Sequence, residues 1–147
     1  MKITRHSDYA FRILTYLQLR PGEIVRVQDI AESFRISENH LTKVSRKLIR
    51  LGLVRAKRGR SGGIVMDPAA MCWRLGDLMR TLEPAGEMVA CESPQGQPLC
   101  RISSNCRLRG ILHEASEQFY RSLNTHKIGD LVATDSKRLR KYLAIPD

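Results

Sequence analysis

Two apolar stripes of helical period, joined by a short turn, constrain the fold of this chain more than any other feature. The first stripe occupies about 27–34, and its members share one helical face: Ile30, Ala31 and Phe34. The second stripe follows the turn at 35–37 and repeats every three or four residues: Leu41, Val44, Leu48 and Leu51. Two short helices joined by a three-residue turn form a helix-turn-helix pattern.

The ends of these helices carry their own signals. Ser37 is a residue type that caps helix N-termini, so a third helix is expected to begin after it. Gly52 follows the last apolar position and suits a left-handed residue that ends the helix, with Leu53 supplying the accompanying apolar contact. An earlier helix is predicted from a cap at Ser7 to the break at 21–22.

The face opposite the second stripe is polar and mostly basic. It carries Glu38, Asn39, His40, Thr42, Lys43, Arg46, Lys47 and Arg50. Asn, Thr, Lys and Arg side chains read base edges and bind phosphates in protein–DNA complexes. The alternative is an ordinary amphipathic helix with a solvated basic face. We favour DNA recognition, and the predicted contact residues of this helix are Ser37, Asn39, His40, Thr42, Lys43, Arg46 and Lys47.

A β-hairpin is predicted directly after this helix. Residues 53–57 and 63–66 have strand composition, and the glycines of 58–62 permit a tight turn between them. Arg58 and Arg60 would lie at its tip and could contact phosphates or the minor groove. A nucleotide-binding loop is disfavoured because the GxxxxGK[ST] spacing is missing. We therefore predict a winged helix-turn-helix, in which the hairpin is the wing.

The distribution of charge agrees with a nucleic-acid partner. The chain has 147 residues and a formal net charge of +10. Residues 1–66 hold 14 Lys and Arg against 5 Asp and Glu, a balance of +9, whereas 67–147 hold 11 against 10, a balance of +1. A basic half joined to a nearly neutral half indicates that the first half binds a polyanion such as double-stranded DNA.

Three cysteines distinguish the second half of the chain. Cys91, Cys100 and Cys106 have the spacing C-x8-C-x5-C within a segment of loop composition. Three thiols in one loop indicate a metal or an iron–sulfur cluster. A disulfide with a spare thiol, structural zinc and unliganded cysteines remain as alternatives, although zinc prefers four ligands at shorter spacing. Cys72, alone beside Trp73, is expected to be a small core residue.

Residues after Cys106 predict one long helix with an apolar stripe. The stripe consists of Leu108, Ile111, Leu112, Ala115, Phe119 and Leu123. A chain of this size has little left to cover it, so we expect pairing with a second copy; packing within the chain is the alternative. The predicted fold is mainly α with a small β-hairpin wing. Its parts are a DNA-binding domain (1–83), a cysteine loop (84–106), a dimerisation helix with a short helix (107–133), and a basic tail that need not be ordered (134–147).

Other functional classes are disfavoured. No segment approaches the roughly 20 apolar residues that a membrane span requires, and the N-terminus has no signal-peptide pattern, so a cytoplasmic location is expected. Paired catalytic carboxylates and a convincing Cys-His dyad are missing, which argues against an enzyme. A zinc- or thiol-dependent redox protein is the alternative of another class.

Four motifs together resemble a known family. They are Met-Lys-Ile-Thr with Ser-Asp-Tyr-Ala near the N-terminus, Ser-Glu-Asn-His-Leu-Thr-Lys-Val, Arg-Gly-Arg-Ser-Gly-Gly, and three cysteines followed by Arg-Leu-Arg and a long helix. Over about 1–133 the chain resembles the winged-helix iron–sulfur and redox-sensing transcriptional regulators, and among them the nitric-oxide-sensitive repressors. The resemblance implies a homodimer on a palindromic operator, with nitric oxide as effector; a regulator of iron–sulfur supply or iron status is the alternative.

The resemblance also implies a ligand set. Cys91, Cys100 and Cys106 would hold a [2Fe–2S] or [4Fe–4S] cluster, and Asp8 of the partner subunit would complete it. Some members use a histidine three residues past the last cysteine, where this chain has Arg109, which stays protonated and cannot be a ligand. Asp8 has two other interpretations, a carboxylate near a helix N-terminus or an i,i+4 ion pair with Arg12.

Overall fold

The computed structural model describes residues 3–59, 62–83, 91, 99–132 and 136–145. The described chain divides into two compact units. One unit contains 5–73 together with the described residues after 126, and the other contains 3–4 with the described residues of 74–126. The helix before residue 83 and the long helix after residue 106 belong to the same unit.

The first unit has the elements of a winged helix. Its helices and strands are α1 (Arg5–Gln18), α2 (Val27–Phe34), α3 (Glu38–Arg50), β1 (Val54–Lys57) and β2 (Gly63–Met66), followed by 3-10 turns at Pro68–Cys72 and Ile128–Leu131 and by α6 (Ser136–Tyr142). The other unit contains α4 (Leu75–Leu82), a 3-10 turn at Ser103–Asn105 and α5 (Arg107–Leu123). The mainly helical fold with a two-stranded wing is therefore confirmed.

Helix α1 begins before the residue that was expected to cap it. Ser7 lies inside α1 and has 0% of its surface exposed. The prediction of a cap at Ser7 is wrong because Ser7 continues the buried stripe of α1, three residues before Ala10 and seven before Leu14. The helix must begin one turn earlier for this stripe to face the core of the first unit.

The end of α3 has the predicted glycine geometry. Gly52 has a φ of +73°, in the left-handed region that favours glycine. Its N–H donates to the carbonyl of Ile49 at 3.0 Å, and the N–H of Leu53 donates to the carbonyl of Leu48 at 3.1 Å. These two bonds form a Schellman motif, and the fully buried side chain of Leu53 supplies its apolar contact. The recognition helix is thus followed at once by β1.

The wing is a short antiparallel pair. The register runs from Val54 opposite Met66 to Lys57 opposite Gly63. Val25, in the segment between α1 and α2, forms an isolated bridge with Ile64, and reciprocal N–H to carbonyl bonds of 2.9 and 2.8 Å hold it there. The wing is therefore attached through β2 to the helical part of its unit.

Helices α4 and α5 pack closely in the second unit. A Cβ on Gly76 would come within 2.2 Å of the Tyr120 carbonyl oxygen, so only glycine permits this approach. The Asn124 side chain accepts from the Asp77 N–H at 3.0 Å and donates to the Asp77 carboxylate at 2.8 Å. These contacts fix one face of α5 against α4.

The C-terminal tail is ordered where it is described. Residues 136–142 form α6, in a segment that was expected not to need order. Leu143 and Ile145 are buried, and a guanidinium nitrogen of Arg140 donates to the carbonyl of Leu19. Burial of these two apolar residues supplies the stabilisation that the composition of the tail did not suggest.

Within the described ranges, no helix has both the length and the apolar character needed to cross a bilayer.

Candidate nucleic-acid interface and metal centre

Four polar side chains form one row along α3. Leu41, Val44, Ser45 and Leu48 are buried, and they define the core side of the helix. At 100° per residue, the opposite side carries residues at i, i+4, i+7 and i+11: Asn39, Lys43, Arg46 and Arg50. All four are exposed. The predicted contact residues Asn39, Lys43 and Arg46 thus lie together on the most exposed line of the helix.

The remaining predicted residues of α3 lie beside this row. Thr42 and Lys47 flank it on either side and are half-buried. His40 is exposed at the edge of the face, and its ring stacks on Tyr9 of α1 with 6.3 Å between ring centroids. Thr42 and Lys47 therefore suit contacts to the DNA backbone at the groove edge better than contacts to base edges.

Ser37 occupies the expected position before α3. Its backbone is extended, and its carbonyl accepts from the N–H groups of His40 and Leu41. Its exposed hydroxyl makes no capping bond within the described part of the chain. The hydroxyl and the N–H groups of the first turn of α3 thus lie at a helix N-terminus, which favours a phosphate.

The wing follows α3 in the chain, belongs to the same unit and carries exposed basic side chains. Lys57 and Arg58 are exposed, and Arg55 pairs with Asp67 at 3.3 Å. Gly62 donates its N–H to the Gly59 carbonyl at 2.9 Å, which closes the turn. Arg60 lies outside the described residues. Arg58 is thus placed on the turn of the wing, as the sequence predicted.

The cysteine segment is described only in part. Cys91 is 7% exposed, and its carbonyl accepts from the Leu99 N–H at 2.9 Å, so the chain returns beside Cys91 just before Cys100. Residues 92–98 lie outside the described part. Cys100 and Cys106 are half-buried, and a 3-10 turn at Ser103–Asn105 separates them. The backbone therefore brings the first two cysteines towards each other.

Cys106 lies at the N-terminus of α5. It is the residue before the first helical position, with φ −87° and ψ 110°. The first turn of α5 carries Arg107 and Arg109 and no acidic residue. An open cleft of about 600 Å³ adjoins this end; it is lined by Ser103, Ser104, Asn105, Cys106, Arg107, Arg109, Gly110 and His113. The helix dipole and the two arginines favour an anionic group at this position.

The chemistry of these donors fits an iron–sulfur cluster. None of the four cysteines forms a disulfide in the structure, which disfavours the disulfide alternative. A cluster bound by three thiolates is anionic, and it would lie beside a basic helix N-terminus. Among the described residues, no three His, Cys, Asp or Glu side chains are gathered closely enough to hold a metal ion. The identity of the three ligands therefore remains a prediction from sequence.

Cys72 differs from its expected environment. It is exposed at the end of the 3-10 turn Pro68–Cys72 rather than part of the core. The apolar residue that this turn buries is Ala70. The prediction is wrong because a 3-10 turn repeats every three residues, which directs residues 70 and 72 to different sides.

Asp8 lies in the first turn of α1 and pairs with Arg12. Nε of Arg12 donates to both carboxylate oxygens at 3.0 and 3.1 Å, and Nη2 lies 2.9 Å from Oδ2. The guanidinium also lies 5.6 Å from the ring centre of Phe34. The i,i+4 ion pair considered from sequence is confirmed in this structure. The role of Asp8 as a cluster ligand in the partner subunit stays a prediction.

The apolar stripe of α5 is not covered within its unit. Helix α4 contacts the other side, where Glu117, Tyr120 and Asn124 lie. Arg80 binds the Glu117 carboxylate with two hydrogen bonds of 2.6 and 3.0 Å, and this contact lowers the pKa of Glu117. Leu108 and Ile111 remain 56% and 54% exposed. Among the described residues, none of α5 is buried.

Two residues adjoin the candidate interface and were not among the predicted contacts. Arg50 completes the row on α3, and its position eleven residues after Asn39 was the available signal. Tyr9 supports His40 from α1, and no sequence pattern indicated that contact because it joins two helices. Both residues extend the candidate interface beyond the predicted set.

Comparisons with known proteins agree with this geometry. The Rrf2 family model, described as iron-dependent transcriptional regulators, matches residues 3–134. The HTH-type transcriptional regulator NsrR of Shouchella clausii is 35% identical over 136 residues, which cover 92% of this chain and 91% of the relative. Two solved structures share the fold. CymR, the global cysteine regulator of B. subtilis, has a TM-score of 0.67 at 24% identity and covers 90% of this chain and 97% of its own. T. potens IscR has a TM-score of 0.70 at 19% identity and covers 95% and 91%.

Proposed function

The chain belongs to the Rrf2 family of transcriptional regulators, and we propose that it is a dimeric repressor that senses nitric oxide through an iron–sulfur cluster. Membership makes it a DNA-binding transcriptional regulator and not an enzyme. The cluster, the effector and the dimer are what we propose in addition for this chain. The similarity to NsrR over nine-tenths of the chain supports them.

The observation that carries DNA binding is the row of Asn39, Lys43, Arg46 and Arg50 on α3. An α-helix fits the major groove, and asparagine and arginine there pair with adenine and guanine edges. The N-terminal part of the row would meet bases, since the N-terminal residues of a recognition helix contact base edges. Lys57 and Arg58 of the wing would then bind phosphates or the minor groove beside it.

The uncovered stripe of α5 supports a homodimer. Leu108 and Ile111 expose apolar surface on the side of α5 away from α4. In a dimer with a twofold axis beside this face, the apolar stripes of the two α5 helices would bury each other. A symmetric dimer would place two α3 helices on a palindromic operator, with half-sites about 34–36 Å apart.

Cys91, Cys100 and Cys106 would hold the cluster by their thiolates. Arg107 and Arg109 would stabilise its negative charge from the first turn of α5. Asp8 of the partner subunit would provide an oxygen donor, which is harder and weaker towards iron than a thiolate. When bound, the cluster supplies iron atoms that react with nitric oxide.

Loss of the cluster would release the operator by changing how the two subunits of the dimer are held together. If Asp8 ligates the cluster of the partner subunit, loss of that cluster removes a link between the two chains. The two α3 helices would then lose the fixed separation that two half-sites require. The residues that bind DNA are unchanged in this mechanism; only their spacing changes.

The second candidate function is a regulator of iron status. The description of the family as iron-dependent favours it. The same cysteines would bind the cluster, and iron supply rather than nitric oxide would decide whether it is present. Arg109, at the position where some relatives have a histidine ligand, argues against an identical ligand set.

The deciding experiment measures cluster content and operator affinity on the same samples. Protein purified anaerobically is examined by absorption and native mass spectrometry before and after nitric oxide, and operator affinity is measured on the same samples. We expect a cluster that nitric oxide destroys and a parallel loss of affinity. Loss of affinity upon iron chelation but not with nitric oxide would favour iron sensing. Binding of zinc and no iron would contradict both candidates.

A further inference from the structure

Helix α6 has two chemically different sides. Its sequence Ser-Lys-Arg-Leu-Arg-Lys-Tyr contains four basic residues and no acidic one. At 100° per residue, Lys137, Arg138 and Lys141 lie within about 100° of arc, and all three are exposed. Leu139 is half-buried on the opposite side, and Leu143 just beyond the helix is buried. A basic face thus points away from the protein.

The helix is fixed to the DNA-binding unit. Arg140 donates to the carbonyl of Leu19, just after α1, and Leu143 and Ile145 are buried. These contacts place α6 in the compact unit that also contains α3 and the wing. Arg140, which anchors the helix, is not one of the three residues that form the basic face.

The anchor lies near the wing along the chain. Leu19 is six residues before Val25, which bridges Ile64 of β2. Six residues span at most roughly 20 Å of extended chain. A DNA duplex carries a negative charge about every 1.7 Å along its axis. The residue to which α6 is anchored therefore lies within about 20 Å of Val25, which pairs with β2 of the wing. The positive charge of the basic face is complementary to the charge of the DNA backbone.

We propose that Lys137, Arg138 and Lys141 bind the phosphate backbone of DNA that flanks the operator. The contact would lie outside the bases read by α3 and would extend the interface on the side of the wing. It rests on the proposed function only in requiring that this chain binds an operator. Helix α6 lies beyond the residues that the family model matches.

The test uses the operator that the wild-type protein selects from random-sequence DNA. One duplex ends at the selected bases, and a second extends about eight base pairs, or roughly 27 Å, further on each side. Lys137→Gln, Arg138→Gln and Lys141→Gln are combined in one variant. A second variant, with Lys137→Arg, Arg138→Lys and Lys141→Arg, keeps the charge.

We expect the neutral variant to lose at least about tenfold in affinity on the long duplex and to keep wild-type affinity on the short one. Its slope of log affinity against log salt on the long duplex should fall by about 0.9 for each lost contact. The charge-preserving variant should bind both duplexes like wild type. Far-UV circular dichroism and thermal unfolding check that α6 and its anchor are intact.

Three outcomes would overturn the proposal. An unchanged salt slope on the long duplex would remove α6 from the DNA interface. An equal loss on both duplexes would show that α6 does not act through the flanks. Loss of binding to anionic phospholipid vesicles with unchanged DNA binding would assign the face to a lipid surface. Operator binding by wild type and its loss in α3 variants test the proposed function separately.

Discussion

Asp8 and Arg12 form a two-pronged ion pair one turn apart on α1, with Nε–O distances of 3.0 and 3.1 Å. The side chains are 36% and 41% exposed, so the pair contributes no more than about 1 kcal/mol to stability. Asp8 can therefore exchange Arg12 for another partner at little cost. A carboxylate that ligates a cluster in the partner subunit would have to make this exchange.

Mixed dimers can decide whether Asp8 is a ligand across the subunit boundary. A chain with Asp8→Ala is combined with a chain with Cys106→Ala. If ligation crosses the boundary, one site keeps all four ligands and the other lacks two, so we expect a normal absorption spectrum from half the sites. Spectra of anaerobic, affinity-separated heterodimers measure this.

The homodimers supply the controls for that experiment. The Asp8→Ala homodimer should assemble a cluster with an altered spectrum and faster decay, since water or a small thiol can replace an oxygen donor. In the heterodimer, an Asp8→Ala spectrum from the site that keeps its three cysteines would show that Asp8 acts within its own chain. A wild-type spectrum in the Asp8→Ala homodimer would leave Asp8 with its ion pair alone.

Single cysteine variants should separate ligands from the exposed thiol. We expect Cys91→Ser, Cys100→Ser and Cys106→Ser each to lose most of the cluster, because a soft thiolate donor is replaced by a harder one. Cys72→Ser is the matched control and should keep wild-type iron content. Iron and sulfide analysis with native mass spectrometry measures the outcome. Full cluster in any of the first three would remove that residue from the ligand set.

Removing one positive charge from the α3 row should weaken operator binding. We expect Lys43→Ala and Arg46→Ala each to reduce the slope of log affinity against log salt by about 1, because one phosphate contact is lost. If Arg46 reads a base instead, affinity should fall by about 1–3 kcal/mol and specificity should relax at one position. Arg121→Ala, an exposed charge on α5, is the control. Wild-type slopes and affinities in both variants would exclude this face.

The wing should contribute affinity without contributing stability. We expect Arg58→Ala combined with Arg60→Ala to lower operator affinity while the unfolding temperature stays near wild type. Arg58 is exposed at the turn, and substitutions of surface charges change stability by less than about 0.5 kcal/mol. Fluorescence anisotropy and thermal unfolding provide the two readouts. A double variant that binds like wild type would mean that the wing does not contact DNA.

A charge on the uncovered stripe of α5 should dissociate the dimer. Leu108→Asp or Ile111→Asp removes roughly 1.5 kcal/mol of apolar burial per chain, and a symmetric interface doubles the effect to about a hundredfold in dissociation constant. Arg121→Asp, on a different side of α5, should leave the dimer intact. Sedimentation equilibrium of the three proteins measures the change. A stable dimer in both stripe variants would place the interface elsewhere.

The local features of this fold were readable from sequence because they depend on neighbouring residues. The bounds of α2 and the left-handed Gly52 follow from periodicity and a turn residue alone. Ser7 and Cys72 were misassigned because their burial depends on which side of an element meets the core. Order in α6 depends on the Arg140–Leu19 contact, which joins residues 121 positions apart. The site followed the same rule: the row on α3 was predictable, and the support from Tyr9 was not.

The Schellman motif that ends α3 has a consequence for how an operator can be released. Gly52 and Leu53 join the recognition helix to β1 without any flexible linker, and the Leu53 carbonyl also accepts from the Asp67 N–H at 3.0 Å, where the hairpin ends. Helix α3 and the wing are therefore joined directly, and a displacement of α3 would be expected to carry the wing with it. If α3 occupies the major groove as proposed, a change of dimer spacing that draws α3 away from one half-site would withdraw Arg58 with it, and that half-site would be released as a whole. In the proposed complex the dimer would set the distance between the two half-sites, and this joint would set the layout within each half.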